Sequence, residues 1–291
     1  MHKKVLILGA NGLIGNGLTR YLQTRNIRLF AIVRSTKKVF SKKIPFFYCK
    51  NLNSKKSIDN IEKFIKKIKP DFIINCLGMT KHIETQNNKL LNVYLPSILL
   101  KFKKKYFFDL IHITTDCVFD GKKGNYKETS LMNAEDDYGK SKILSDKILL
   151  KSKKTIIIRT STIGHEIRTK RGLLDWFLSC NKICYGYKKA FFSGLTTLEL
   201  AKIIYKYFIL LSKKPIKYGI YNISGPKINK FDLLKKIRKI YKKDILIKPD
   251  YKLRIDRSLN SEKFTFVTKY KKLSWDKMLK DYREFYKKNN V

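Results

Sequence analysis

Short, almost wholly apolar runs alternate with stretches whose apolar residues recur at helical spacing, the β-α-β order of a parallel sheet covered on both faces. The runs predict strands over Val5–Leu8, Leu29–Val33, Phe46–Cys49, Phe72–Asn75, Leu110–Ile113 and Thr155–Ile158. Between them the periodicity predicts helices to about Thr24, over Ile58–Ile68 and Leu90–Lys103, and around Tyr138. About seven parallel strands are expected in roughly the first 160 residues, which makes a doubly wound, Rossmann-type α/β sheet the natural architecture. Beyond Gly164 the pattern is choppier, with helices near Leu198–Leu211, Lys230–Tyr241 and Lys277–Tyr286. The expected organisation is a dinucleotide-binding domain over 1–163 and a smaller, interleaved α/β substrate lobe over 164–291.

The first strand runs into Gly9-Ala10-Asn11-Gly12-Leu13-Ile14-Gly15 and then a helix. GxxGxxG is a weak pattern alone, but between a buried strand and a helix it fits a pyrophosphate cradle. There Gly9 makes the tight turn, Gly12 admits the pyrophosphate and Gly15 allows helix to pack on strand, with Asn11, Leu13 and Ile14 lining the same loop. After the second strand come Arg34, Ser35, Thr36, Lys37 and Lys38, where an acidic residue would hold the ribose hydroxyls of NAD. Cations there suit a 2′-phosphate, so NADPH is expected ahead of NADH.

In Asp137-Tyr138-Gly139-Lys140-Ser141-Lys142, Tyr138 and Lys142 share one helix face at i, i+4. A phenol has an ordinary pKa near about 10, and a cation within about 4–6 Å favours its ionised form, so the pair is a candidate proton donor and acceptor. In isolation such a pair is as easily an amphipathic surface feature; the glycine loop upstream is what gives it weight.

Composition changes the picture in one respect. The chain of 291 residues carries a formal charge of +42, which raises nucleic acid or an anionic membrane surface as a partner. Only eleven of the 65 basic residues are Arg, and the lysines lie in short groups from Lys3-Lys4 to Lys287-Lys288. A localised Arg patch for phosphates and base edges is missing, so a solvated lysine surface is expected, with no specific nucleic-acid partner. Five cysteines without a CxxC pair read as reduced cytoplasmic thiols, and no metal site is expected. Lys206 interrupts the most apolar stretch and the N-terminal run is short for a leader, so neither membrane insertion nor a signal peptide is expected.

The stretch Thr114-Thr115-Asp116-Cys117-Val118-Phe119-Asp120-Gly121, followed by the Tyr138 segment, resembles the extended short-chain dehydrogenase/reductases. Within them it is most similar to the dTDP-4-dehydrorhamnose reductase branch, with its STDYVFDG and YGxSK segments. Asn75-Cys76-Leu77-Gly78, Asn92 with Pro96, Arg159-Thr160-Ser161 and Asp256-Arg257-Ser258-Leu259 extend the resemblance over most of the chain. It implies that Tyr138 protonates a carbonyl oxygen, that Thr115 hydrogen-bonds the same oxygen, and that Lys142 lowers the phenol's pKa and holds the nicotinamide ribose. Asn75, Cys76, Leu77 and Gly78 would line the cofactor. Asp116, Tyr126, Trp176 and Arg257 would meet a nucleotide-diphospho-sugar, with Glu128 beside Tyr126 on a covering loop; Arg168, Lys170 and Arg171 are weaker candidates.

Two departures matter. Cys117 stands where related sugar-nucleotide dehydratases carry a glutamate, which argues against 4,6-dehydration and leaves reduction intact; Asn51-Leu52 replaces a common Asp-Leu near the adenine. The activity implied is NADPH-dependent reduction of a nucleotide-linked 4-keto-6-deoxy sugar for surface polysaccharide, by a chain that could pair as a homodimer. Rival readings are an epimerase or epimerase/reductase, a non-catalytic NADP-binding subunit like that of methionine adenosyltransferase, and a basic nucleic-acid scaffold. His112, His165 and the Cys180/Cys184 pair are expected to be structural.

Overall fold

The computed structural model describes residues 2–33, 44–49, 54–78, 90–152, 155–167, 171–210 and 216–288. In chain order, β1 (Lys4–Leu8) leads to α1 (Leu13–Leu22), β2 (Arg28–Val33), β3 (Phe46–Tyr48), α2 (Lys55–Ile68) and β4 (Phe72–Asn75). A π-helical turn over Leu90–Tyr94 runs into α3 (Leu95–Lys105), then β5 (Asp109–Thr115), a 3-10 turn (Asp116–Val118), α4 (Asp137–Leu150), β6 (Thr155–Thr160) and β7 (Thr162–Ile163). There follow α5 (Leu173–Ser179), β8 (Ile183–Tyr187), β9 (Ala190–Phe192), β10 (Leu195–Thr196), α6 (Thr197–Ile204) and β11 (Gly219–Asn222). The chain closes with β12 (Ile228–Asn229), α7 (Lys230–Tyr241), β13 (Leu246–Asp250), β14 (Ile255–Asp256), α8 (Glu262–Thr268) and α9 (Trp275–Lys288).

Seven parallel strands form the main sheet in the order β11-β6-β5-β4-β1-β2-β3, the expected doubly wound architecture. The strand count is right and its location is not. Six of the seven come from the first 160 residues, and the seventh, β11, returns from the far half of the chain, with Ile220 opposite Ile157. Four residues, Gly219-Ile220-Tyr221-Asn222, are too few to reveal a period, so the edge of the sheet was hidden in the choppy region.

Within each continuous apolar strand, alternation still sorts the side chains. Val5, Ile7, Ala31, Val33, Ile74, Ile111, Ile113, Ile156 and Ile158 pack beneath α1 and α6. Leu6, Leu8, Phe30, Ile32, Ile73, Leu110 and Ile157 pack beneath α2 and α3. Local chemistry fixes the helix ends: the Ser54 hydroxyl caps α2 by accepting from the Ser57 amide at 3.2 Å, and Pro96 sits in the first turn of α3. Sheet order reverses at β1 and β4, so the crevice beyond their carboxyl ends is the natural ligand position. Beyond the main sheet, β9 lies between β12 and β14 in a small three-stranded sheet. Among the described residues no helix is long and apolar enough to cross a membrane.

Candidate active site

The glycine turn lies at the end of β1. Gly9 adopts φ +78°, a left-handed conformation that suits glycine, and the Gly9 and Ala10 amides donate to the Ile32 carbonyl at 3.1 and 3.3 Å. A Cβ on Gly15 would lie 2.2 Å from the Gly9 carbonyl oxygen, so only glycine lets α1 start this close to the turn. Gly12 is different: it is exposed, and a Cβ there would meet only the Gly9 oxygen, at 3.3 Å. It also occupies the N-cap of α1 without a side-chain cap, so the first-turn amides keep their capacity for an anion.

The opposite wall comes from β4. Asn75 is fully buried, its Nδ2 3.0 Å from His112 Nδ1, while its Oδ1 accepts from the Leu77 amide at 3.1 Å. Leu77 covers the turn, its Cδ2 2.9 Å from where a Gly9 Cβ would lie. Burial pushes the Cys76 thiol well up, opposed by the Lys142 charge. Arg34 and Ser35, with Lys37, Lys38, Asn51, Leu52, Arg168 and Lys170, lie outside the described residues.

At the end of β5, Thr115 Oγ1 accepts from the Cys117 amide at 3.1 Å and reaches Asp116 Oδ1 at 3.2 Å. Helix α4 begins at Asp136, whose carboxylate accepts from the Gly139 amide at 2.8 Å. Gly139 lets α4 settle against the 3-10 turn, since a Cβ there would lie 2.7 Å from the Cys117 carbonyl oxygen. The Tyr138 phenol is thereby brought near Thr115. Burial drives the phenol up from its ordinary value, Cys117, Asp116 and Asp136 push the same way, and the Thr115 hydroxyl opposes them.

Lys142 points to the other wall of the crevice. It is buried at 4 % exposure, its Nζ 3.0 Å from where a Gly78 Cβ would lie, with Asn92 Oδ1 3.2 Å from the same point. Burial lowers its pKa, and Asp146 and Cys76 are the charges that act against that. The ammonium lies on the β4 side of the crevice, next to Gly78. Asn92, which donates to Ser141 Oγ at 2.9 Å, ties α4 to this wall; Ser141 in turn donates to the Tyr138 carbonyl at 2.7 Å. Behind them Asp146 and Arg159 form an ion pair at 3.3 Å, both almost wholly buried, with Arg159 4.9 Å above the Phe119 ring.

From the second half of the chain, Arg257 Nε donates to the Phe119 carbonyl at 3.0 Å and Nη1 lies 3.6 Å from Cys117 Sγ. Asp116 is 6 % exposed; burial raises its pKa, opposed first by Arg257 and then by Lys230. Lys230 was missed in the sequence, where one more lysine at a helix start carries no signal.

Tyr126 stands on the loop between the 3-10 turn and α4. It is 5 % exposed, stacks on Phe119 at 4.1 Å, and its phenol donates to Asp120 Oδ1 at 2.6 Å while accepting from the Gly121 and Lys123 amides. Glu128 likewise accepts from the Asn222 amide at 2.9 Å, so both tie the loop to the second half of the chain. Trp176 is 38 % exposed on α5 rather than core. The Arg171 amide bonds the Glu166 carboxylate at 3.1 Å. His112 is buried and held well below its ordinary pKa by desolvation, and His165 packs against Tyr282 and Asp175. Among the described residues no group of three or more His, Cys, Asp or Glu could hold a metal ion.

Known proteins resemble this arrangement at two levels. The dTDP-4-dehydrorhamnose reductase of Aggregatibacter actinomycetemcomitans is 27% identical over 231 residues, covering 76% of this chain and 73% of that one. Methionine adenosyltransferase 2 subunit beta of Danio rerio is 30% identical over 156 residues, 52% of this chain and 44% of that protein. The structure of dTDP-4-dehydrorhamnose reductase from Bacillus anthracis in complex with NADP superposes with a TM-score of 0.79 at 20% identity, over 97% of this chain and 99% of that one, a likeness of fold. Residues 3–179, more than half of the chain and including Gly9, Thr115, Tyr138 and Lys142, match the RmlD substrate binding domain, and the chain belongs to that family.

Proposed function

We propose that this chain is an NADPH-dependent oxidoreductase that reduces the 4-keto group of a nucleotide-linked 4-keto-6-deoxy sugar, in the cytoplasm and for surface polysaccharide. The observation that carries the reading is the placement of Thr115 at the carboxyl end of β5 and of Tyr138 in the first turn of α4, where Gly139 packs against the 3-10 turn that follows Thr115. Its relatives named dTDP-4-dehydrorhamnose reductase support the substrate class.

The residues present suit a dinucleotide. Gly9, Gly12 and Gly15 with Asn11, Leu13 and Ile14 would hold the pyrophosphate, and the uncapped first turn of α1 supplies amides for it. Asn75, Cys76, Leu77 and Gly78 would line the nicotinamide end, where the space a Gly78 Cβ would fill is bordered by Lys142 Nζ and Asn92 Oδ1. Lys142 would hold the ribose hydroxyls there, and Arg34 with Ser35 the 2′-phosphate that favours NADPH. Residues 1–163 would form the cofactor domain and 164–291 the substrate lobe.

When bound, NADPH supplies the hydride that the carbonyl carbon accepts. Tyr138 gives its phenolic proton to the carbonyl oxygen, and the ketone becomes an alcohol. A phenol raised above its ordinary pKa is fully protonated at neutral pH, the state an acid in the reduction direction needs. Thr115 donates to the same oxygen, so that charge developing there meets a fixed donor. Asp116 and Arg257 border the sugar side.

Purified protein incubated with NADPH and a panel of nucleotide 4-keto sugars should consume the reduced cofactor, read as loss of its absorbance. Tyr138→Phe should abolish turnover and leave NADPH affinity nearly intact; turnover that survives the change removes Tyr138 from its role. The likeness to methionine adenosyltransferase 2 subunit beta favours a second reading, a cofactor-binding subunit without turnover. NADPH binding with no sugar reduction across the panel would decide for it.

A further inference from the structure

We infer that a groove at the amino ends of β4 and β5 binds an acidic peptide segment of a partner protein, anchored by one large apolar side chain. The place is remote from the chemistry described above, since Thr115 ends β5 and the glycine turn follows β1, whereas Asp109 opens β5 at the opposite end of the sheet. There the last turns of α3 and α4 border, with the strand starts, a groove of about 1000 Å³. Leu100 and Ile148, both half-buried, supply apolar wall, and Phe107 lines the same space. The Phe107 ring is 97% exposed, while Phe108 beside it is buried and Tyr106 packs against the core. One exposed apolar residue on a surface needs no explanation, but this one shares a groove with Leu100, Ile148 and the exposed Tyr218.

Charge selects the partner. Lys3, Lys101, Lys104 and Lys151 line the groove, and among the described residues none of them has an ion pair. The carboxylates there are already engaged within the fold: Asp71 accepts from the Lys4 amide at 2.7 Å, and Asp109 accepts from the Tyr218 phenol at 2.9 Å and pairs with Lys103 at 3.5 Å. The groove therefore presents positive charge, with spare carboxylate lone pairs beside it. A peptide answers both, since its acidic side chains meet the ammonium groups, its backbone N–H groups meet Asp71 and Asp109, and one apolar side chain covers Phe107. A phosphate backbone brings acceptors that those carboxylates repel, and no arginine lines the groove to hold it in a fork. A bilayer is flat and does not enter a groove. A second copy of a chain carrying +42 would set lysines against lysines. The inference is independent of the reductase reading.

The test is fluorescence anisotropy of the full chain with fluorescein-labelled octapeptides that combine Asp and Glu with a single Phe, Trp or Leu, in physiological salt, where exposed charges are screened beyond about 8 Å. At least one of these peptides should saturate a single site. Phe107→Ser and, separately, Lys101→Glu/Lys104→Glu should each raise its Kd about tenfold or more while the thermal midpoint stays at the wild-type value. Lys235→Glu/Lys239→Glu, the same charge reversal on the exposed face of α7, should leave Kd within about twofold. Replacing the peptide's apolar residue by Ser should weaken it about tenfold. Equal weakening by the α7 pair would reduce the effect to the general lysine field and overturn the inference, as would wild-type affinity in Phe107→Ser or no binding by any peptide of the set. Polyuridylate or phosphatidylglycerol vesicles that bind more tightly than every peptide and lose affinity in Phe107→Ser would overturn it in favour of nucleic acid or lipid. A wild-type dimer that Phe107→Ser disperses would overturn it in favour of a second copy. Turnover of NADPH with nucleotide 4-keto sugars should be the same in all these variants, so the reductase reading stands or falls by itself.

Discussion

Gly12 and Gly15 belong to one motif and should fail in different ways when given a methyl group. A Gly15→Ala Cβ would sit 2.2 Å from the Gly9 carbonyl oxygen, more than 1 Å inside ordinary contact, as judged from carbon contact distances of about 3.5 Å. The obstacle is backbone held by the turn, so helix α1 must back away, and Leu18, Tyr21 and Leu22 on its buried face move with it. Overpacking of this kind costs about 1–3 kcal/mol, here at the upper end, and alanine's helix preference returns about 1 kcal/mol. The net, about 2 kcal/mol, corresponds to a fall in Tm of about 4–8 °C for a domain of this size. Gly12→Ala meets a single atom at 3.3 Å with φ −79°, so its Tm should stay within about 1–2 °C of wild type. Its methyl would instead occupy the path of the pyrophosphate and weaken NADPH by about tenfold or more, 1.4 kcal/mol. Thermal unfolding followed by titration of NADPH fluorescence separates the two effects. Equal loss of Tm in both variants, or Gly15→Ala indistinguishable from wild type, would refute the division of labour.

Arg34→Asp should move cofactor preference toward NADH, and an unchanged ratio of kcat/KM for the two cofactors would count against a 2′-phosphate contact. His112, buried neutral, has a folded pKa well below its unfolded value of about 6.5, so its contribution is complete above that pH and is lost as pH falls below it, by up to about 1.4 kcal/mol per pH unit. Denaturant unfolding between pH 7 and 5 should therefore be less steeply pH-dependent in His112→Gln; identical slopes would show that the imidazole titrates freely in the folded protein.

The features that could be read in the sequence are those whose chemistry is local. The glycine turn depends on three residues within seven, and the Thr115 and Tyr138 segments each sit on a single element. What escaped was set by tertiary placement. Spacing puts Lys142 on the face of Tyr138, while the groups around its ammonium, Asn92, Cys76 and Asp146, come from other parts of the fold or the next turn. Tyr126 lies in a loop rich in Gly and Lys that gives no hint of burial; its phenol is enclosed because Asp120 and two amides fold around it. Lys230 follows a strand paired with β9 and Arg257 another, a placement that local sequence does not reveal, while +42 of charge hides any single lysine.

The return of β11 to the edge of β6 has a consequence for biosynthesis. When residue 160 has been made, the backbone of β6 has a partner on one side only, and its row of free amides and carbonyls stays open until Asn222 follows, about 60 residues later. At roughly 5–20 residues per second, the nascent sheet carries an adhesive flank for some 3–12 s. The buried Arg159, inside that same strand and bonded to Asn222 in the finished protein, has a donor that an intruding strand from another molecule would leave without that partner.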